Sequence, residues 1–154
     1  MKYEYSIFAD YFQFYLEDEK VQTDTSVIWT EQAFQDFMAV APGFVAIGTV
    51  RNMDVPVEIE VVDSELPENL EQWNHITECS LDIPSGRLRV MGCTDDYSEA
   101  EVIHLTPGSY KVRIYQGGLG TLSENGLEGN DYYRIVMWQG EYLPPGVIKR
   151  YPRQ

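Results

Sequence analysis

The sequence of 154 residues is poor in the side chains that most often bind metal ions or form nucleophilic active sites. It has two cysteines, Cys79 and Cys93, and two histidines, His75 and His104. Two cysteines are too few for the disulfide framework of a small secreted protein, and these four residues do not form the close pairs of a zinc site. A Ser-His-Asp arrangement would have to use one of the two histidines, and no nucleophile-elbow motif accompanies either. We therefore expect no metal, no cofactor and no catalytic residues.

The sequence also lacks a long apolar run. Met1 is followed by Lys2-Tyr3-Glu4-Tyr5-Ser6, and a further acidic residue follows at Asp10. Neither a signal peptide nor a membrane-spanning helix is predicted, because both need an uninterrupted apolar segment. We expect a cytoplasmic protein that does not contact a membrane.

Basic residues are scarce as well: 11 lysines and arginines stand against 25 aspartates and glutamates, which gives a net charge of −14. Residues 1–79 contain 16 acidic and 3 basic residues, whereas residues 80–154 contain 9 and 8. A surface this negative repels nucleic acids and attracts basic proteins or cations. We expect a basic protein partner and no direct nucleic-acid binding, with plain solubility as the alternative explanation of the charge.

The pattern of apolar residues predicts an all-β protein. The length fits a single domain that covers residues 1–154. Alternating apolar residues at 55–61 and 77–83 predict strands with one buried and one exposed face. Two β-hairpins are expected, one turning at Pro84-Ser85-Gly86 and one at residues 106–109. Eight or nine short strands at this spacing indicate an antiparallel β-sandwich of a jelly-roll-like kind.

One short helix is predicted at about 30–41. Thr30 can cap its start, and Glu31 suits the positive end of the helix dipole. Apolar residues between 33 and 41 lie on one side of such a helix, and Pro42-Gly43 would end it.

A long polar segment at residues 116–131 is rich in glycine. It is too long for a simple turn, and loops of that length are often functional. It lacks the Gly-Lys-Ser/Thr ending and the following helix of a phosphate-binding loop. Its side-chain oxygens would suit a small ligand or calcium, although their spacing is not that of an EF-hand. The candidate ligand-loop residues are Glu124, Asn125, Glu128, Asn130 and Asp131.

This loop supports a second function class, a β-sandwich that binds a sugar-type small ligand or hydrolyses one. Tyr132 and Trp138 could stack on a sugar ring, although packing is the commoner role of such strand residues. A third class is a structural homo-oligomer in which the strand at 55–61 pairs with a second copy, since Pro56 favours a sheet edge or a strand start. A concave pocket with two close carboxylates would favour the second class. A convex acidic face without a pocket would favour protein binding.

Short motifs in the sequence resemble the bacterial competence protein J family. The similar stretches are Val27-Ile28-Trp29-Thr30-Glu31-Gln32-Ala33, Ala41, Gly48-Thr49-Val50-Arg51-Asn52, Pro107-Gly108-Ser109-Tyr110 and Asp131-Tyr132-Tyr133. Members of that family are acidic proteins that bind and inhibit a competence-associated DNA-entry nuclease. The resemblance therefore implies an inhibitor or immunity-type protein without enzymatic activity. Other motifs, such as Pro84-Ser85-Gly86-Arg87-Leu88, are similar to a group of uncharacterised bacterial proteins.

Under this leading hypothesis the acidic side chains form the binding surface. An acidic face can occupy the basic groove of a nuclease, and electrostatic attraction makes such an association salt-sensitive. The resemblance supplies no individual inhibitory residues, so the candidates follow from charge alone. The predicted partner-binding residues are Glu17, Asp18, Glu19, Asp24, Asp54, Asp63, Glu65, Glu68 and Glu71.

Overall fold

The computed structural model describes residues 1–67 and 70–153. In these ranges the chain is mostly β, with eleven strands and one α-helix. The strands are β1 (Lys2–Phe8), β2 (Gln13–Asp18), β3 (Met38–Ala41), β4 (Phe44–Gly48), β5 (Asp54–Val61), β6 (His75–Ile83), β7 (Arg87–Gly92), β8 (Glu101–His104), β9 (Gly108–Gly117), β10 (Tyr132–Gln139) and β11 (Gly146–Lys149). The helix is α1 (Glu31–Asp36). No helix in the described ranges is long and apolar enough to cross a membrane.

The strands form two sheets. The first sheet has six strands in the order β1-β5-β10-β9-β6-β11, and the second has five in the order β3-β4-β2-β7-β8. Neighbouring strands run antiparallel, apart from β5 and β10, which are parallel. The prediction of an all-β protein is confirmed, with one parallel pair that the sequence pattern did not indicate. The edge strands are β1 and β11 in the first sheet and β3 and β8 in the second.

One apolar core lies between the two sheets. The longer strands contribute alternate residues to it, such as Phe14 and Leu16 from β2 and Tyr133 and Ile135 from β10. The alternation arises because successive side chains of a strand point to opposite faces. The rings of Phe14 and Tyr133 meet edge to face, with centroids 6.0 Å apart. The two sheets thus share their buried faces, which is the relationship that a β-sandwich requires.

The helix is about half as long as the predicted helix at 30–41, because the last predicted residues form β3 instead. Thr30 caps the helix as expected, with its hydroxyl oxygen accepting the Ala33 N–H at 3.0 Å. Phe37 then adopts a left-handed backbone at φ 58° and turns the chain out of the helix. The next four residues pair with β4 through the turn at Pro42-Gly43. A short apolar run fits either period, and here pairing with β4 decides in favour of a strand.

Both predicted hairpins are wrong. The turns at Pro84-Ser85-Gly86 and at residues 106–109 carry the chain from one sheet to the other, since β6 and β9 belong to the first sheet and β7 and β8 to the second. A hairpin would place Ile83 beside Leu88, whereas both residues enter the shared core from opposite sheets. The same alternation of apolar residues serves both arrangements, because each strand buries one face in either case.

β5 is an internal strand, with β1 on one side and β10 on the other. Pro56 stands near its start, and pairing with β10 begins only at Val57. The missing N–H of proline therefore interrupts no ladder there. The hypothesis that residues 55–61 pair with a second copy is wrong, because both edges of this strand are already occupied.

Candidate functional site

An acidic groove of about 410 Å³ runs along the outer edge of β1. Residues 4–8 form one wall, and the opposite wall comes from β7, β8 and the segment between them. All five charged side chains that line it are carboxylates. They belong to Glu4, Asp54, Asp95, Glu99 and Glu101.

Local features of the sequence hold the two walls together at one end. A side chain at Gly92 would place its Cβ 2.2 Å from the carbonyl oxygen of Phe8, so the edge of β1 can approach β7 this closely only at a glycine. The Gly92 N–H donates to Asp95 Oδ2 at 2.8 Å. Asp96 caps the 3₁₀ turn that follows. These contacts fix the position of the acidic wall relative to β1.

Six of the seven arginines pair with carboxylates outside the acidic groove. These ion pairs join Arg51 to Asp131, Arg87 to Glu19, Arg89 to Glu17, Arg113 to Glu65 and Glu78, Arg134 to Glu58 and Glu60, and Arg150 to Asp36. Within residues 1–67 and 70–153, no ion pair involves any of the five groove carboxylates. Burial raises the pKa of Tyr5, on the groove wall, to about 12, and the nearby charge of Glu101 adds to this shift.

The structure brings one of the nine predicted partner-binding residues into the groove, namely Asp54. Glu17 and Asp18 are buried, with exposed fractions of 3% and 0%, and neither lines the groove. Glu19 is half-buried and pairs with Arg87. Four predicted residues are exposed but do not line the groove: Asp24, Asp63, Glu65 and Glu71. Glu68 lies outside the described residues.

The two buried carboxylates have structural contacts. Glu17 Oε1 accepts a hydrogen bond from Arg89 Nε at 2.9 Å. Burial raises the pKa of Glu17, although the Arg89 contact opposes the shift. Asp18 accepts the Ser85 hydroxyl at 2.6 Å and the N–H groups of Ser85 and Lys20, each at 3.0 Å. Burial alone would raise the pKa of Asp18, but these hydrogen bonds lower it overall.

Sequence reasoning missed four of the groove carboxylates, which are Glu4, Asp95, Glu99 and Glu101. They come from β1, from β8 and from the connection before β8, segments that meet only through the packing of the two sheets. One signal was present in the sequence. Residues 95–101 hold four acidic side chains in a half of the chain that is otherwise nearly balanced in charge.

Three of the five predicted ligand-loop residues, Glu124, Asn125 and Glu128, line one open surface pocket of about 420 Å³ together with Ser123, whereas Asn130 and Asp131 do not line it. Asp131 is fully buried, with Oδ1 2.8 Å from Arg51 Nε and Oδ2 accepting the Tyr133 hydroxyl at 2.8 Å. The contact with Arg51 is an ion pair and not an aligned hydrogen bond. Asn125 Oδ1 accepts the hydroxyl of Ser123 within the loop. The other predicted residues, Glu124, Glu128 and Asn130, are exposed. The described part of the chain contains no group of three or more His, Cys, Asp or Glu that could hold a metal ion.

A second, polar cleft of about 280 Å³ lies on the outer face of the second sheet. Its lining combines carboxylates, hydroxyls and rings, among them Glu17, Asp95, Tyr15, Thr25 and Tyr97. A concave pocket with two close carboxylates is the feature expected of the small-ligand class. This cleft and the acidic groove are both concave and lined by carboxylates, so neither is the convex acidic face expected for protein binding. None of residues 116–131 lines this cleft, so the predicted ligand loop and this pocket are separate.

Exposed aromatic residues stand at the Phe8 end of the groove. Tyr11 and Phe12, which we call the aromatic turn, have left-handed backbones at φ 56° and 60°, and their side chains are 69% and 46% exposed. A left-handed backbone costs a residue other than glycine about 1–2 kcal/mol. The Phe12 carbonyl oxygen accepts the Thr49 N–H at 2.9 Å, a contact that helps to hold this conformation. The turn therefore presents two aromatic rings to solvent at a cost in backbone energy.

Comparison with solved structures identifies two proteins of similar fold. One is ComJ from Bacillus subtilis, an inhibitor of the DNA degrading activity of NucA, which matches with a TM-score of 0.67 and 16% identity over 91% of this chain and 96% of that chain. This chain has the fold of ComJ. Crocagin biosynthetic gene J also matches, with a TM-score of 0.55 and 15% identity over 92% of this chain and 96% of that chain. The sequence matches no protein-family model and no curated protein. The predicted resemblance to the competence protein J family is confirmed at the level of the fold.

Proposed function

We propose that this chain is a cytoplasmic, non-enzymatic inhibitor that binds a basic protein, specifically a nuclease. The acidic groove carries the proposal, because no basic side chain lines it and its five carboxylates form no ion pair among the described residues. The fold that the chain shares with ComJ supports the kind of partner, since ComJ inhibits NucA. A groove of this charge attracts a basic surface and repels nucleic acid.

The position of the groove suits inhibition by occupying a basic surface. Glu4 and Glu101 stand on β1 and β8, so the backbone of each is fixed by a sheet and does not have to become ordered on binding. At physiological salt an exposed charge acts over about 8 Å, so carboxylates that share one groove act together on a basic segment placed within it. A nuclease surface occupied in this way no longer admits the DNA backbone.

Charge reversal in the groove tests this function. The protein is added to a lysate of its source organism, and the degradation of plasmid DNA is followed at low and at high salt. The wild-type protein should slow degradation most strongly at low salt. The double variant Glu4→Lys with Glu101→Lys should inhibit about tenfold less well, because electrostatic steering contributes at least this much to association.

A matched control separates the groove from overall charge. Glu124→Lys with Glu128→Lys changes the net charge by the same amount on the exposed glycine-rich loop, and it should inhibit as well as the wild-type protein. If both double variants lose inhibition equally, or if the wild-type protein never slows DNA degradation, the proposed function is wrong. If the function holds, affinity capture with the wild-type protein, followed by elution with salt and mass spectrometry, should identify the basic partner.

The polar cleft on the second sheet supports a second candidate function, the binding of a small hydroxylated ligand. Hydroxyl groups donate and accept hydrogen bonds with a sugar and carboxylates accept them, and the exposed face of Tyr97 offers a stacking surface. Arg89 covers one face of this ring, with Cζ 4.0 Å from the centroid. Titration with monosaccharides, monitored by tyrosine fluorescence in wild type and Thr25→Val, tests this alternative. No response in the wild-type protein would eliminate sugar binding.

A further inference from the structure

We propose that the acidic groove binds its partner by strand addition: an extended basic segment of the partner pairs with the outer edge of β1. This inference rests on the proposed function and specifies how the same groove engages the partner. Three observations support it, namely the direction of the β1 backbone groups, the charge of the groove and the apolar residues on its floor.

The backbone of β1 has hydrogen-bonding groups that face the groove. At the two ends of the β1–β5 pair, Val61 N–H donates to the Met1 carbonyl at 2.8 Å and Ala9 N–H donates to the Met53 carbonyl at 3.0 Å. Backbone groups of an antiparallel strand alternate in direction, so odd-numbered residues of this strand bond to β5 and even-numbered residues point away from it. The Phe8 carbonyl agrees with this pattern, because it points to the position of Gly92.

The backbone N–H and C=O groups of Glu4 and Ser6 therefore point into the groove. No hydrogen bond to the backbone of either residue on this side is present among the described residues. Both side chains are exposed, and both residues line the groove. An edge strand with open N–H and C=O groups is a template for another strand, and recognition by strand addition uses such edges.

The chemistry of the groove selects the added strand. Alternate side chains of an added strand point to opposite faces of the sheet. On one face they would meet the apolar floor, which includes Tyr5, Ile7 and Val90. On the other face they would lie near the exposed side chain of Glu4. The occupant is thus an extended segment of a partner protein in which lysine or arginine alternates with apolar residues.

The same charges disfavour a second copy of this chain as the occupant. Two β1 strands that paired with each other would bring two acidic grooves together, and like charges across an interface reduce affinity. Acidic residues beside an edge strand also have a protective role, since charge discourages edge-to-edge aggregation. Protection alone predicts no binding of a basic strand, and this difference makes the proposal testable.

The first test uses the full-length protein and synthetic peptides. The probe is an acetylated and amidated peptide in which lysine and valine alternate over six residues, and its affinity is measured by calorimetry. A peptide of the same sequence with alternate backbone nitrogens methylated has the same charge but lacks half of its N–H donors. Because two lost backbone hydrogen bonds correspond to roughly a tenfold change in affinity, the unmethylated peptide should bind about tenfold more tightly.

The second test changes the strand edge without changing its charge. Ser6→Pro removes the N–H that points into the groove, whereas Ser6→Ala keeps it. The proline variant should bind the unmethylated peptide about tenfold more weakly than the alanine variant, and the amide signals of Glu4 and Ser6 should shift on binding to wild-type protein. If the proline variant does not fold, the comparison of the two peptides still decides the matter.

The outcomes separate strand addition from the proposed function. Equal affinity for the methylated and unmethylated peptides, or no binding of either, would overturn strand addition. Inhibition of DNA degradation that depends on Glu4 and Glu101 would in that case leave the proposed function standing. Loss of dependence on both the charges and the strand edge would overturn both.

Discussion

The ring of His75 connects the C-terminal tail to α1: Nδ1 accepts the Tyr151 N–H at 3.0 Å, and Nε2 donates to the Asp36 carbonyl at 2.7 Å. Both hydrogen bonds require a neutral ring with its proton on Nε2. Arg150 reinforces the link through an ion pair with Asp36 at 2.7 Å. A buried neutral histidine therefore determines how the tail docks.

Low pH should weaken the docking of the C-terminal tail, because it favours protonation of His75. Burial lowers the pKa of His75, the Asp36 carbonyl opposes the shift, and the charges of Arg150 and Arg153 add to it. The unfolded chain, with a histidine pKa of about 6.5, then takes up the proton before the folded one does. The contribution of neutral His75 to the free energy of unfolding is therefore complete above about pH 6.5. It is lost as the pH falls toward the folded pKa of His75, with a slope of at most about 1.4 kcal/mol per pH unit.

Urea unfolding at neutral pH and at about pH 5.5 measures this effect, with His75→Gln and His104→Gln as the paired variants. The free energy of unfolding of His75→Gln should depend less on pH than that of the wild-type protein. His104 is exposed, and its variant should retain the full dependence. An unchanged pH dependence in His75→Gln would show that another group titrates in this range.

Removal of Arg89 should destabilise the fold strongly. Its guanidinium pairs with Glu17 and also donates to the carbonyls of Glu19 and Val21 at 3.2 and 3.3 Å. Arg89→Met leaves the buried Glu17 without its partner, which is expected to cost about 3–5 kcal/mol in the free energy of unfolding. Addition of Glu17→Gln should recover part of this loss, because no uncompensated charge then remains.

The neighbouring pair of Arg87 and Glu19 provides the control, since both side chains are more than a third exposed. Arg87→Met should cost less than about 1 kcal/mol. Denaturant unfolding of all these variants gives the comparison. Similar losses for Arg87→Met and Arg89→Met would contradict the expectation that burial sets the cost.

Some of the fold could be predicted because its cause is local. Thr30 and its capped N–H are three residues apart, and the alternation in β5 is visible within eight residues. The boundary after Phe37 was not predictable in this way, because the choice between helix and strand depends on pairing with β4. The two false hairpins have the same origin. A turn sequence does not state whether the next strand joins the same sheet or the opposite one.

The site was less predictable than the fold. Only Asp54 was predicted among the groove carboxylates, and Glu17 and Asp18 were chosen although they are buried. Charge density along the sequence shows where acidic residues are abundant, but it does not show which of them an arginine will neutralise. The acidic groove depends on both the packing of β1 against β7 and the pairing of arginines elsewhere, and neither is local.

Asp18 should stabilise the turn between β6 and β7, where the chain passes from the first sheet to the second. Asp18→Asn replaces one acceptor oxygen with a donor that faces either the donors of Ser85 or the N–H of Lys20, and it should lower the free energy of unfolding by about 1–3 kcal/mol. The folded pKa of Asp18 is lowered, so its contribution is complete above its unfolded value of about 3.9 and is lost as the pH falls through the folded pKa. Urea unfolding at neutral pH and at about pH 3 measures both effects. Asp24→Asn, at an exposed site, should change stability by less than about 0.5 kcal/mol.

Replacement of Tyr11 in the aromatic turn should maintain or raise stability and weaken binding. Tyr11→Gly removes the backbone strain of a left-handed conformation, which costs about 1–2 kcal/mol. Glycine also raises the entropy of the unfolded chain, and this destabilises the folded protein by about 0.4–1 kcal/mol. Since the Tyr11 side chain is 69% exposed, little packing is lost, and stability should stay unchanged or rise by up to about 1 kcal/mol. Inhibition of DNA degradation should weaken, because exposed aromatic residues beside a charged groove are typical anchors of protein interfaces. Tyr142→Gly removes an equally exposed tyrosine far along the chain and should leave inhibition intact. Weaker inhibition in both variants, or in neither, would show that the aromatic turn is no part of the interface.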